Sequence, residues 1–170
     1  MAGKQSTQFS TRMVAALGLL IAVDVALSMF VHIPVPMTHG YVNLCDAGIF
    51  IAALLFGRRG GAIVGGASGF LLDMILGYSQ YMVFSLIVHG LEGFLVGQFG
   101  ANKSKRQQLV ALAIGSLVMV AGYFASDSIL YTVPTGLIGV PMNAVQAVLG
   151  AVIAFPIVVQ LKDRVKARFS

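Results

Sequence analysis

The chain reads as an all-α polytopic membrane protein, a single domain over 1–170 with six transmembrane helices and both termini cytoplasmic. Two observations carry that fold class. Of its 170 residues 58% are hydrophobic and 10% are charged, with a mean hydropathy of +0.90. So few charges do not cover the surface of a water-soluble domain. In addition, the apolar residues fall into runs of membrane-crossing length, and the basic residues sit in the breaks between them.

The runs are taken in order. Span 1 covers 13–31. The basic residues and apolar run at the N-terminus resemble a signal sequence, but five more spans follow, so it reads as a retained first span. Span 2 covers 44–56 and reaches only about 20 Å against a core of about 30 Å. It is a partial span, or Tyr41–Asn43 extends it. Span 3 covers 61–77, span 4 81–99, span 5 109–133 and span 6 140–161, with Pro141 suited to its first turn. Pro34 and Pro36 disfavour helix between spans 1 and 2 and favour an extended course.

The eleven basic residues test this map. Lys4 and Arg12 are N-terminal. Arg58 and Arg59 lie between spans 2 and 3, and Lys103, Lys105 and Arg106 between spans 4 and 5. Lys162, Arg164, Lys166 and Arg168 are C-terminal. The other three loops carry none. The positive-inside rule then places the termini in the cytoplasm of a plasma-membrane protein. A net charge of +5 distributed in this way marks topology rather than nucleic-acid binding.

Small residues recur every four positions at Gly61, Gly65 and Gly69, at Gly93 and Gly97, and at Ala22 and Ala26. This spacing lets helix backbones approach closely in lipid.

Five of the six acidic residues fall in or at the ends of the spans: Asp24, Asp46, Asp73, Glu92 and Asp127. No lysine or arginine lies at that depth. An unpaired buried carboxylate is costly unless it takes up a proton or finds donors, so such groups are functional candidates. Ser85, His89 and Glu92 share a helix face, as do Tyr123, Asp127 and Tyr131. Asn143 and Gln146 open span 6. His39, Asn43, Tyr78, Gln80 and Tyr81 lie in the external loops. These groups outline a polar cavity open to the outside. The candidate substrate contacts are His39, Asn43, Asp46, Asp73, Tyr78, Tyr81, His89, Glu92, Tyr123, Asp127, Asn143 and Gln146. Lacking cations, the cavity suits a neutral or protonatable heterocycle better than an anion. Structural roles compete: Asn43 as a helix cap, Asp46 at a helix dipole, the tyrosines as interface residues.

No GxxxxGK[ST] pattern offers an ATP site, and no HExxH or paired-cysteine motif offers a metal site. Cys45 is the only cysteine, which excludes an intrachain disulfide. No cofactor is expected. Ser85, His89 and Glu92 do not make a catalytic triad, because one helix face spaces them and nothing assembles an oxyanion hole. The chain is therefore not expected to be an enzyme.

Gly40-Tyr41-Val42-Asn43-Leu44-Cys45-Asp46, Phe56-Gly57 with Gly60-Gly61, Gly65-Gly66 with Gly69 and Leu72-Asp73, Gly77-Tyr78, and His89-Gly90-Leu91-Glu92-Gly93 occur in that order. In this series the sequence resembles the substrate-binding S components of energy-coupling factor (ECF) vitamin transporters, in the riboflavin, hydroxymethylpyrimidine or pyridoxine branch. Cys45 departs from the glycine expected there.

The resemblance implies a subunit that binds one vitamin from outside and topples in the membrane to carry it inward. It implies docking through small residues of span 1 onto a transmembrane T subunit coupled to two cytoplasmic ATPases. An AxxxA pattern, Ala22 and Ala26, matches by spacing, and Ala15, Ala16 and Gly18 offer a second small face. Asp24 inside that pattern is unusual. The segment His32–Tyr41 would act as a lid. Pyridoxine or hydroxymethylpyrimidine is the favoured ligand, then riboflavin. The rival reading is a stand-alone proton-coupled carrier using Asp24, Asp73 and Glu92, against which no inverted repeat is visible.

Overall fold

A computed structural model of the chain describes residues 10–169. Lys4 and the rest of the first nine residues lie outside that range. Helices α1 (Thr11–Phe30), α2 (Cys45–Leu76), α3 (Met82–Gly100), α4 (Lys105–Leu130) and α5 (Val133–Phe169) follow one another, with a two-stranded hairpin after α1. Among the described residues, five helices are long and apolar enough to cross a membrane.

The second helix is one element in hydrogen bonding but two in space. Gly57 has φ 76° and ψ −172°, a conformation that only glycine enters without strain. There the helix reverses. A Cβ placed on Gly65 would lie 3.2 Å from Ile49, although sixteen residues of straight helix would hold the two about 24 Å apart. The two expected spans are thus the two arms of a helical hairpin. The expected loop at 57–60 shrinks to one residue, because a single left-handed glycine suffices to turn the chain.

The first arm, 45–56, is the axis of the bundle. Cys45, Asp46, Ile49, Phe50, Ala52 and Ala53 are all fully buried. Phe50, Ala53 and Leu54 pack with Val96 of α3, Leu112 of α4, and Ala154 and Val158 of α5. Leu17 of α1 packs against Ala52. Protein surrounds the arm, so it need not match the thickness of the lipid. Tyr41 and Val42 do not extend it. They form β2, paired antiparallel with Ile33–Pro34 of β1, Tyr41 opposite Pro34.

The second arm packs against α3 through the expected glycines. A Cβ on Gly61 would collide with the Gly93 carbonyl, and one on Gly65 with the His89 carbonyl. Gly93 and Gly97 meet Gly61 and the Gly57–Arg58 backbone in the same way. This contact fixes the rotation of α3, so Ser85, His89 and Glu92 face inward and are buried.

Two helix starts differ from expectation. Helix α4 begins at Lys105, held by a capping box between Ser104 and Gln107. Helix α5 begins at Val133, seven residues early. The Thr132 hydroxyl accepts the Thr135 N–H at 3.3 Å, and Pro134 occupies the first turn. Pro141 is therefore inside the helix, not at its start.

The start of α1, the Gly57 turn, the α3–α4 turn and the end of α5 gather at one end of the bundle, where Met13, Gly57, Lys103 and Lys162 line one cavity. The described basic residues lie in those four segments. The β-hairpin and the α2–α3 and α4–α5 connections carry no basic residue other than histidine.

Candidate functional site: a polar cavity under the β-hairpin

Away from the basic end, the bundle encloses a cavity of about 30 Å³. That is room for only two or three waters. Val35, Thr38 and Gly40 of the hairpin cover it, and Tyr41 reaches in beside them. The hairpin folds because its tip satisfies itself. The Val35 N–H donates to the Gly40 carbonyl at 3.0 Å, the Thr38 hydroxyl donates to the Val35 carbonyl at 2.9 Å, and Met37 takes the left-handed φ of 63°.

The walls are paired phenols and carboxylates. The Tyr41 hydroxyl donates to Asp73 Oδ1 at 2.8 Å. The Tyr81 hydroxyl donates to Asp127 Oδ1 at 2.5 Å. Ser85 Oγ and the Tyr123 hydroxyl are 2.7 Å apart. Burial and the adjacent Asp73 carboxylate push the Tyr41 phenol above its ordinary range, which keeps it a donor. Asp73 stands one turn before the Gly77 C-cap, whose N–H returns to the Asp73 carbonyl.

The floor is a relay of amides and acids. The Asn43 N–H donates to Gln146 Oε1 at 2.7 Å, and Gln146 Nε2 donates to Asp46 Oδ1 at 2.8 Å. Asn43 Oδ1 also accepts the Cys45 N–H at 2.7 Å, beside Leu44, which is the N-cap of α2. His89 Nδ1 meets Glu92 Oε2 at 2.8 Å and Asp46 Oδ1 at 3.9 Å. Ligand atoms of Asp46, His89 and Glu92 lie within 4.8 Å of one another. This donor set has the composition of a divalent-cation site, but part of it is already engaged with Gln146 and with itself.

Among the described residues, three buried carboxylate oxygens have no hydrogen-bond partner: Asp46 Oδ2, Asp73 Oδ2 and Glu92 Oε1. No lysine or arginine among those residues lines the cavity. The site therefore presents acceptors in want of donors.

The sequence model of the ECF-type riboflavin transporter S component family matches residues 8–163, so it takes in α1 to α4, α5 as far as residue 163, and the whole site. The chain belongs to that family. The thiamine precursor transporter HmpT of Lactococcus lactis subsp. cremoris is 37% identical over 139 residues, 81% of this chain and 80% of its own. An uncharacterised protein of Pyrococcus woesei is 36% identical over 140 residues, 81% of this chain and 93% of its own. The family is one of membrane transport components, and the multi-pass membrane character read from the sequence agrees with the apolar helices.

Of the residues expected at the site of this S component, Asn43, Asp73, Tyr81, His89, Tyr123, Asp127, Asn143 and Gln146 line the cavity. Four do not. Asp46 and Glu92 lie behind the lining and bond to Gln146 and His89. Tyr78 packs on Tyr41 with ring centroids 4.4 Å apart and bonds His32 at 3.3 Å. His39 stacks on Tyr131 at 4.3 Å on the outer surface.

Tyr41 is among the lining residues that the candidate contacts leave out, with Thr38 and Ser85. The available signal was the Gly40-Tyr41-Val42 alternation of a strand, which turns Tyr41 to the face opposite buried Val42. Gly139 enters with the early start of α5, its would-be Cβ only 3.0 Å from Asp127.

The small residues of α1 divide cleanly. Ala15, Gly18, Ala22 and Ala26 are exposed, Ala16 is half-buried, and Asp24 is buried on the opposite face. Asp24 packs against Gly48 and accepts from the Cys45 thiol at 3.5 Å. The carboxylate inside the AxxxA pattern thus leaves the small outer face intact.

Proposed function

We propose that this S component binds a small heterocyclic vitamin precursor, hydroxymethylpyrimidine or pyridoxine before riboflavin, for ATP-driven uptake. The observation that carries the reading is Asp73 Oδ2, a buried acceptor that has no partner among the described residues, in a cavity that none of their lysines or arginines lines. A ligand rich in N–H and O–H donors completes that oxygen, and a carboxylate ligand such as pantothenate does not. The name of the Lactococcus relative supports a thiamine precursor. The proposed contacts are Tyr41, Asp73, Tyr81, Ser85, His89, Tyr123, Asn143 and Gln146, with Asp46 and Glu92 holding Gln146 and His89 in place.

The cavity is far smaller than the roughly 300 Å³ of a ligand pocket. In this reading the hairpin at 32–42 lifts to admit the ligand and closes through Tyr41. The basic end faces the cytoplasm with both termini, and the two arms of α2 make six membrane segments. The exposed stripe Ala15, Gly18, Ala22 and Ala26 meets a transmembrane T subunit, and ATP hydrolysis belongs to separate subunits.

The test is a calorimetric and thermal-shift screen of the purified chain against hydroxymethylpyrimidine, pyridoxine, riboflavin, thiamine and pantothenate. A tight ligand raises stability by mass action. Preference for pantothenate, or for none of the five, overturns the substrate reading. Uptake by the chain alone in liposomes under a pH gradient replaces it with proton coupling.

A further inference from the structure

A second cavity, of about 360 Å³, opens at the basic end of the bundle. The apolar cluster of Phe50, Leu54, Val96 and Leu112 separates it from the first, so it is not the far mouth of one channel. Lys103, Lys162 and Asp163 are among its lining residues, and Gln108 lines it from the first turn of α4. Among the described residues, none of these three charged side chains is ion-paired. Gln108 is 2% exposed, and its Oε1 has no hydrogen-bond partner. A buried amide oxygen left this way costs stability unless a donor reaches it.

The chemistry of an occupant follows from these groups. Two ammonium groups against one carboxylate, among the described lining residues, leave the cavity net positive, which favours an anion. The two lysines suit a phosphate as point charges. Gln108 Oε1 and the Asp163 carboxylate are acceptors and call for hydroxyl donors. Leu54 and Leu55 line the cavity as well, and apolar helix surface continues along the bundle beyond it. Basic cavities between helices at the cytoplasmic interface are where anionic headgroups bind. We infer that this cavity binds a hydroxyl-bearing phosphate ester, the chemistry of a phosphatidylglycerol headgroup or of free glycerol phosphate.

The purified full chain is placed in bilayer discs of phosphatidylcholine alone, or with phosphatidylglycerol or phosphatidylethanolamine added. Thermal midpoints and lipids retained in native mass spectrometry are then measured. The expected result is a higher midpoint and one retained lipid with phosphatidylglycerol only. Lys103→Gln with Lys162→Gln weakens that retention roughly thirtyfold. Lys105→Gln with Arg106→Gln, equal in charge but outside the cavity, leaves it unchanged. Gln108→Met, similar in volume, narrows the preference over phosphatidylethanolamine. Stabilisation by glycerol 3-phosphate in phosphatidylcholine discs assigns the same site to a soluble ester. Equal stabilisation by all three lipids, or equal loss in the two lysine-bearing double variants, overturns the proposal.

Discussion

The hydroxyl of Tyr41, in the β-hairpin, donates to Asp73 Oδ1, in the second arm of α2, at 2.8 Å across 32 residues of sequence. This bond joins the cover of the cavity to its wall. It ends on the carboxylate whose other oxygen has no partner, so one side chain both ties down the hairpin and keeps an acceptor unmet; in the proposed function that acceptor serves the ligand.

Tyr41→Phe removes the latch and leaves Asp73 with two unpartnered oxygens. The expected cost is about 1–3 kcal/mol, read as a roughly five- to hundredfold rise in Kd by calorimetry. Stopped-flow release should show most of the loss as a faster off-rate, because the bond holds the cover closed.

Asp73→Asn keeps the shape of the side chain but puts an amide where acceptors are wanted. Ligand affinity is expected to fall about ten- to hundredfold, the scale of hydrogen bonds to charged groups. Glu92→Gln acts one step removed, through His89, and is expected to cost less. Both variants should retain the helical circular dichroism of the parent. Unchanged affinity in both removes these residues from the site.

Gly65→Ala and Gly18→Leu separate folding from docking. The Gly65 Cβ would meet the His89 carbonyl, whereas nothing lies within 4 Å of Gly18. Overpacking the first is expected to destabilise by about 1–3 kcal/mol, lowering the thermal midpoint by several degrees and displacing His89. The second should leave the midpoint and ligand affinity alone, yet abolish ATP-dependent uptake when T and ATPase subunits are co-reconstituted.

Alkaline pH tests the Tyr41 environment. Its phenol is raised above the ordinary value of 10.0 by burial first and Asp73 second. The folded state therefore holds the proton more tightly than the unfolded chain. That contribution to stability is complete below pH 10 and is lost as the pH rises above it. Unfolding midpoints should fall more steeply above pH 10 in the parent than in Tyr41→Phe.

Much of this was legible in sequence because lipid leaves few options. Charge placement separated the two ends of the bundle, and glycine spacing marked the packing seams on the second arm of α2 and on α3, since both follow from one-dimensional rules; that the two seams meet each other came from the structure. Helix-face periodicity joined Ser85, His89 and Glu92. What sequence did not carry depends on rotation and on tertiary contact. Glu92 shares a helix face with the lining residues Ser85 and His89, yet it and Asp46 sit one layer behind, bonded to His89 and Gln146. Tyr41 was missed because a two-residue strand leaves only the brief Gly40-Tyr41-Val42 alternation to read. Asp24 looked anomalous within AxxxA only while the two faces of α1 were undivided.

The shortness of the first arm of α2 has a consequence for movement. Measured from the Gly57 turn, 45–56 rises about 18 Å, against roughly 30 Å of hydrocarbon. On the proposed topology, with the Gly57 turn at the cytoplasmic face, Asp46 at its far tip lies below the outer membrane surface, and the hairpin fills the hollow above it. A ligand held over Gln146, as proposed, would then have covered part of the crossing before any subunit moved. The proposed energy-consuming step would have only the shorter remainder to cover.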